Sequence, residues 1–321
     1  MILDSVAKQS NLDCFLECTA PTVRSQLLPK SEFGSLNRLW HPWEREKVEY
    51  FTLNDLWDCY DEWSAYGAGV PIVLNDNETL VQYYVPYLSA IQIFTSNLRE
   101  EIESGDGDCF SDSWSTDESE SDKLWRWDGC CSSEDGGSDQ DSVCHLNNRL
   151  GYLYFQYFET STPYGRVPLM DKINGLSRRY PGLMSLRSID LSPASWMAVP
   201  DLSYSNGKDY KGLVDMLPHL SYSIFFFPSD ILYSWSILEI DPEDDIKLAE
   251  KNQKEKEGNI SLPPFGLATY KMQGDVWLSS SGCGGGDQER LLSLLSVADS
   301  WLKQLSVQHH DFNYFSGIRR G

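Results

Sequence analysis

Near the C-terminal end, His309-His310-Asp311 sets two imidazoles beside a carboxylate, residue types that ligate zinc or move protons near neutral pH. Adjacent side chains of a strand point to opposite faces, so at most one of the two histidines can join a given site. Alternation with Phe312, Tyr314 and Phe315 predicts a strand or a docking tail. Asp55, Asp58 and Glu62 recur at helical spacing and could hold a divalent cation or act as a general acid. A solvated helix face has the same spacing and is the simpler reading, since no histidine accompanies them. Cys14 and Cys18, and Cys130-Cys131 with Cys144-His145, offer thiols but lack paired Cys-x-x-Cys knuckles, so no closed zinc site is expected. The run from Gly282 to Asp287 precedes a helix as a phosphate-cradling turn does. It lacks the Lys-Ser/Thr of a P-loop and follows a hairpin, which favours a plain loop. No catalytic residue, metal or cofactor is assigned from these patterns.

The stretch from Glu100 to Asp141 carries the most usable physics. It holds 15 acidic and 2 basic residues, a net of −13 within a chain whose formal net charge is −22. Rich in Ser, Asp and Gly, it cannot bury enough apolar surface to offset the ordering entropy, and it is read as a disordered insert. Ser115, Ser119, Ser132 and Ser138 each precede an acidic residue by three positions, the pattern of acidophilic kinases. Four phosphates would take the insert to about −20. Within it, Trp125, Arg126 and Trp127 form an acidic-aromatic linear motif suited to a partner with a basic-rimmed groove. The alternative is that the two tryptophans tuck onto their own domain.

The segments that must carry these groups look folded. Thr79 to Phe94 is dense in aromatic and β-branched residues, and Leu150 to Glu159 is apolar on both faces of a period-2 reading, as a buried strand would be. The insert is then an overlong connection between two sheet elements. Thr52 to Tyr66 opens with Thr-x-x-Asp, stacks Leu56, Trp57, Tyr60 and Trp63 on one stripe, and stops at Gly67. Asp287 is placed to cap a helix carrying Leu291, Leu294, Leu295, Ala298, Trp301, Leu302 and Leu305. A short helix is expected from Leu169 to Tyr180. Strands are expected at Val70 to Leu74 and Ser195 to Val199, with a hairpin of Phe265 to Tyr270 and Asp275 to Ser279. Runs of strands with irregular helices and no βαβ rhythm predict an α+β fold, a mainly antiparallel sheet packed by a few helices. One domain is expected, with residues 1–99 and 142–321 as its halves around the insert 100–141, and with a charged linker at 243–257.

The acidic surplus opposes a phosphodiester backbone and an anionic bilayer, so neither nucleic-acid binding nor membrane insertion is expected. The most apolar window, Tyr222 to Ile240, is broken by Pro228 and Asp230. Eight irregularly spaced cysteines are not a disulfide framework, and the first residues lack a signal-peptide pattern, which points to the cytoplasm or nucleus.

Six stretches resemble a plant family known as domain of unknown function seven hundred and eighty-nine. They begin at Ser10 (SNLDCFL), Glu62 (EWSAYGAGVP), Gln82 (QYYVPYLSA), Ser192 (SPASWMAV), Pro264 (PFGLATYK) and His309 (HHDFNYF). The resemblance implies a plant origin and no assigned chemistry. It fails after Pro200, where family members continue with an aromatic, Pro-containing stretch. Residues 201–245 are therefore read as a splice or gene-model product that leaves a strand missing or replaced. Two functional readings follow. The first is a non-enzymatic interaction or regulatory scaffold that presents a phosphorylatable loop to a protein with a basic surface. The second is a small-molecule-binding domain or enzyme using His309 and His310.

Overall fold

A line of β structure from Thr79 to Thr95 organises the molecule. The computed structural model describes residues 9–35, 48–74, 78–95, 151–162, 165–204, 220–227, 258–269, 277 and 285–317. Strands β5 (Thr79–Pro86) and β6 (Ala90–Thr95) run end to end along one edge of β8 (Trp196–Tyr204). Pro86 pairs with Asp201 and Ala90 with Ala198, so three residues, Tyr87 to Ser89, face two. The extra residue is a β-bulge. Tyr87 N–H donates to the Pro200 carbonyl and Ser89 N–H to that of Ala198, both at 3.0 Å. A residue's N–H and C=O point to the same edge of a strand, so the donor that Pro200 lacks falls at the bulge, where a ladder can spare it.

Around this line lie β4 (Ala68–Val73) beside β5, β7 (Tyr152–Phe158) beside β6, and β9 (Leu220–Phe226) and β11 (Gly266–Thr269) beyond β8. Every pairing is antiparallel. Two-stranded sheets form from β1 (Thr22–Arg24) with β10 (Asn259–Ser261) and from β2 (Gln26–Leu27) with β3 (Glu49–Tyr50). The expected α+β class with a mainly antiparallel sheet is what the chain adopts.

Helices cover both faces. Helix α2 (Leu53–Tyr66) closes the expected capping box, Thr52 with Asp55, and ends at Gly67, whose φ of 82° suits glycine. With α3 (Leu169–Ser177) and α4 (Gly182–Ser185) it buries Trp57, Tyr60, Leu169, Ile173 and Leu183 against Ile91, Ile93, Met197, Val199 and Phe225. The neighbouring positions Ala90, Trp196, Ala198, Tyr222 and Ile224 face the other way, onto α5 (Gly285–Gln304) and α6 (His310–Phe315). Gly266 lets α5 approach closely, since a Cβ there would lie 2.8 Å from that of Ala298. Helix α1 (Asn11–Cys18) guards the outer edge of β4, where the Asn11 amide both donates to and accepts from the Val73 backbone at 2.8 Å. Such pairing blunts an open strand edge. Among the described residues no helix is long and apolar enough to cross a membrane.

The structure corrects several expectations. The His309 to Phe315 segment is a helix with His309 as its N-cap, not a strand, because Phe312 and Phe315 bury together at helical spacing. Asp287 lies inside the first turn of α5 rather than capping it. The expected helix Leu169 to Tyr180 ends at Ser177, and α4 follows Pro181. Strand β7 is not buried on both faces: Tyr152 and Leu153 are exposed and only Phe155 is buried, since among the described residues β7 pairs with β6 alone. Within the stretch beyond Pro200 that was read as a splice or gene-model product, β9 pairs with β8 from Leu220 to Phe226. The expected hairpin partner Asp275 to Ser279, apart from Trp277, and the linker 243–257 lie outside the described residues.

Candidate functional site

The bulge turns Ser89 toward the N-terminal turn of α6, and a buried polar knot forms there. Ser89 Oγ donates to Asp311 Oδ2 at 2.5 Å. Arg166 grips the same carboxylate with both terminal nitrogens, Nη1 to Oδ2 at 2.6 Å and Nη2 to Oδ1 at 2.9 Å. Its Nε and Nη2 also donate to the Ser161 carbonyl at 3.0 and 2.9 Å. The Arg166 and Asp311 side chains are only 2% and 4% exposed. Removing both charges from water costs several kcal/mol per ion, and a bidentate geometry with further hydrogen bonds is what offsets it. Burial alone would raise the Asp311 pKa, but Arg166 and Ser89 hold it below the usual carboxylate range.

A second buried carboxylate adjoins the first. Glu159 accepts from the backbone N–H of Thr160 and Ser161 at 3.0 and 2.9 Å, from Tyr157 Oη at 2.7 Å and from Lys172 Nζ at 2.9 Å. Against the upward push of burial, these donors hold its pKa down at about 2. Glu159 N–H also donates to the Ser89 carbonyl at 2.7 Å. Ser161 therefore links the two ion pairs, its N–H on Glu159 and its carbonyl on Arg166. Through these bonds the bulge, the end of β7, the 159–168 connection, α3 and α6 are held to one another.

His309 is buried, with its ring against Phe158 and Tyr222, and its Nδ1 accepts the Asp311 N–H at 3.2 Å. Burial lowers its pKa to about 4, against the opposing pull of Asp311, so it is neutral at neutral pH. The His310 ring lies beside it, centroid to centroid 4.7 Å, but is 56% exposed, with Nε2 2.7 Å from Asp311 Oδ1.

His309, His310 and Asp311 bring their ligand atoms within 4.8 Å of one another. A carboxylate has about four acceptor positions. Those of Asp311 are occupied by Ser89, by two bonds from Arg166 and by His310, and a cation would also meet the guanidinium. The triplet is thus a poor metal centre. Nor is it a Ser-His-Asp triad: buried Ser89 donates directly to the carboxylate rather than to an imidazole. The arrangement suits a structural latch, with one exposed imidazole at its rim.

The other candidates resolve individually. Asp55 Oδ2 accepts from Thr52 N–H at 2.8 Å and Thr52 Oγ1 at 2.6 Å and so serves the helix cap, while Asp58 and Glu62 face solvent. Cys14, Cys18 and Cys59 are free thiols whose pKa values burial raises, that of Cys59 to about 11. Trp125, Arg126, Trp127, Ser115, Ser119, Ser132, Ser138, Cys130, Cys131, Cys144, His145 and the Gly282 turn lie outside the described residues. The attachment of the acidic stretch is described: Thr95 pairs with Tyr152, so the chain leaves and re-enters at adjacent strand ends, as expected of a connection between neighbours. Sequence reading missed Ser89, Glu159, Arg166 and Lys172. The one available signal was Glu159 closing an apolar run, a charge where burial was to be expected.

A family model described as a protein of unknown function matches residues 10–200 and 234–315. The interruption begins where the resemblance was seen to fail, after Pro200. No curated protein and no solved structure matches the chain. With most of its length covered on both sides of that interruption, the chain belongs to the DUF789 family.

Proposed function

We propose that this protein is a plant intracellular interaction or regulatory scaffold, cytoplasmic or nuclear, whose folded body displays residues 100–141 as an acidic, phosphorylatable loop. The observation that carries the reading is the Thr95–Tyr152 pairing, which makes the strands on either side of the 96–151 connection, net charge −11, neighbours in the sheet. Such a loop adds no demand on the core, and its charge favours a partner with a basic surface. Trp125 and Trp127 supply apolar anchors, Arg126 lies between them, and phosphorylation at Ser115, Ser119, Ser132 and Ser138 tunes the field. The polar knot supports the same reading, because its groups bind one another rather than converge on a vacant position.

A second reading rests on His310, an exposed imidazole oriented by a buried carboxylate at 2.7 Å, a pairing that a general acid or base can use. Comparing proteins that co-purify with the full chain and with a 100–141 deletant separates the two. The scaffold reading expects the deletant to fold and lose its partners, and His310→Ala to keep them. Retained partners in the deletant, together with a ligand or turnover lost in His310→Ala, would establish the second reading instead.

A further inference from the structure

We propose that Thr162 is a phosphorylation site for a proline-directed kinase, and that its phosphorylation unlatches α6 by drawing Arg166 away from Asp311. This goes beyond the acidic loop and does not depend on it.

The sequence has two Ser/Thr-Pro dipeptides, Thr162-Pro163 and Ser192-Pro193. Ser192 is fully buried, with its N–H bonded to the Phe94 carbonyl at 2.8 Å, and no kinase can reach it in the folded chain. Thr162 is exposed. Its carbonyl accepts the Gly165 N–H at 2.9 Å, and proline follows it in the sequence.

The neighbour of Thr162 makes this position consequential. Ser161 gives its carbonyl to Arg166 and its N–H to Glu159, so a phosphate on Thr162 would stand one residue from both charges. It would carry about −1.5 to −2 charges and three acceptor oxygens, and a guanidinium binds phosphate bidentately. Arg166 supplies the guanidinium that neutralises Asp311 in the latch, and an Asp311 left buried without it is strongly disfavoured. Moving α6 outward, so that Asp311 reaches water, relieves that cost. The transfer is an ordinary one. Thr162 Oγ1 forms a bond to the γ-phosphorus of ATP, the bond to the β,γ-bridging oxygen breaks, ADP leaves, and the hydroxyl proton passes to the kinase base.

The test uses the full chain with phosphothreonine encoded at 162, and separately the full chain treated with a cyclin-dependent kinase and ATP. Amide hydrogen exchange across residues 310–316 is the readout. The proposal expects kinase labelling of Thr162, exchange in α6 faster by roughly tenfold or more, full reversal by a phosphatase, and neither change in Thr162→Ala. Unchanged or slower α6 exchange with phosphothreonine in place would overturn it. So would a Thr162 that stays unmodified under conditions that fully label a free peptide spanning 157–167.

Discussion

Replacing Ser96 to Gly151 by a five-residue Gly/Ser/Asn turn should leave a folded and more stable protein. The reason lies in the register: Thr95 and Tyr152 are already cross-strand partners, so a short turn can join them without moving either strand. The loop-closure term scales as (3/2)RT ln n, and shortening the connection from 56 residues to about five gains about 2 kcal/mol. Removing the net charge of −11 that residues 96–151 carry also relieves self-repulsion, which adds in the same direction at low salt. For a urea m-value of about 2–3 kcal/mol/M, the midpoint rises by roughly 0.7–1 M with little change in slope. Equilibrium urea unfolding followed by tryptophan fluorescence and far-UV circular dichroism reads both quantities. A shortened protein that aggregates, or whose midpoint falls, would show that the body draws stability from the excised stretch and would refute the reasoning.

Breaking the latch should be costly in a particular way. Asp311→Asn leaves the Arg166 guanidinium buried without its counter-charge and is expected to destabilise by about 3–5 kcal/mol. The double variant Arg166→Met with Asp311→Leu should lose much less than the two single changes together, and a urea double-mutant cycle that proves additive would contradict this. His309 has a folded pKa of about 4 against an ordinary value of 6.5, so between those values the unfolded chain binds more protons. Stability should therefore fall on acidification through pH 6.5 to 4, with a slope approaching 1.4 kcal/mol per pH unit from this group. His309→Asn can keep the cap acceptor without titrating and should flatten that slope. Glu159 extends the loss to lower pH, its contribution present above 4.5 and disappearing toward about 2. Thr52→Ala should cost about 1 kcal/mol by removing the capping box of α2, as measured by thermal unfolding.

What the sequence made legible was local. Thr52 and Asp55 lie three residues apart and announce the start of α2, and the aromatic stripe fixes which face it buries. The strands flanking the acidic stretch could be read as sheet elements because apolar density rises on both sides of it. The failures came from short segments and from tertiary context. The tail from His309 to Phe315 is too short for period 2 and period 3.6 to be told apart, and burial against Tyr222 decides for the helix. Strand β7 has the composition of a buried strand but, among the described residues, pairs only with β6 and so sits at an edge. The knot was invisible because its members come from distant parts of the chain: Ser89 and Asp311 are 222 residues apart, and Arg166 and Asp311 are 145 apart. No local spacing encodes such a meeting.

The central claim is that the loop, rather than the latch, engages partners. The most direct measurement is the affinity of the most enriched co-purifying protein for the full chain, for a Trp125→Ala, Trp127→Ala double variant, and for His310→Ala, each across a salt series. The account predicts at least about tenfold weaker binding in the double variant, an affinity for the full chain that falls steeply with ionic strength, and no change in His310→Ala. Salt-independent binding that survives the loss of both tryptophans and disappears with His310 would contradict it.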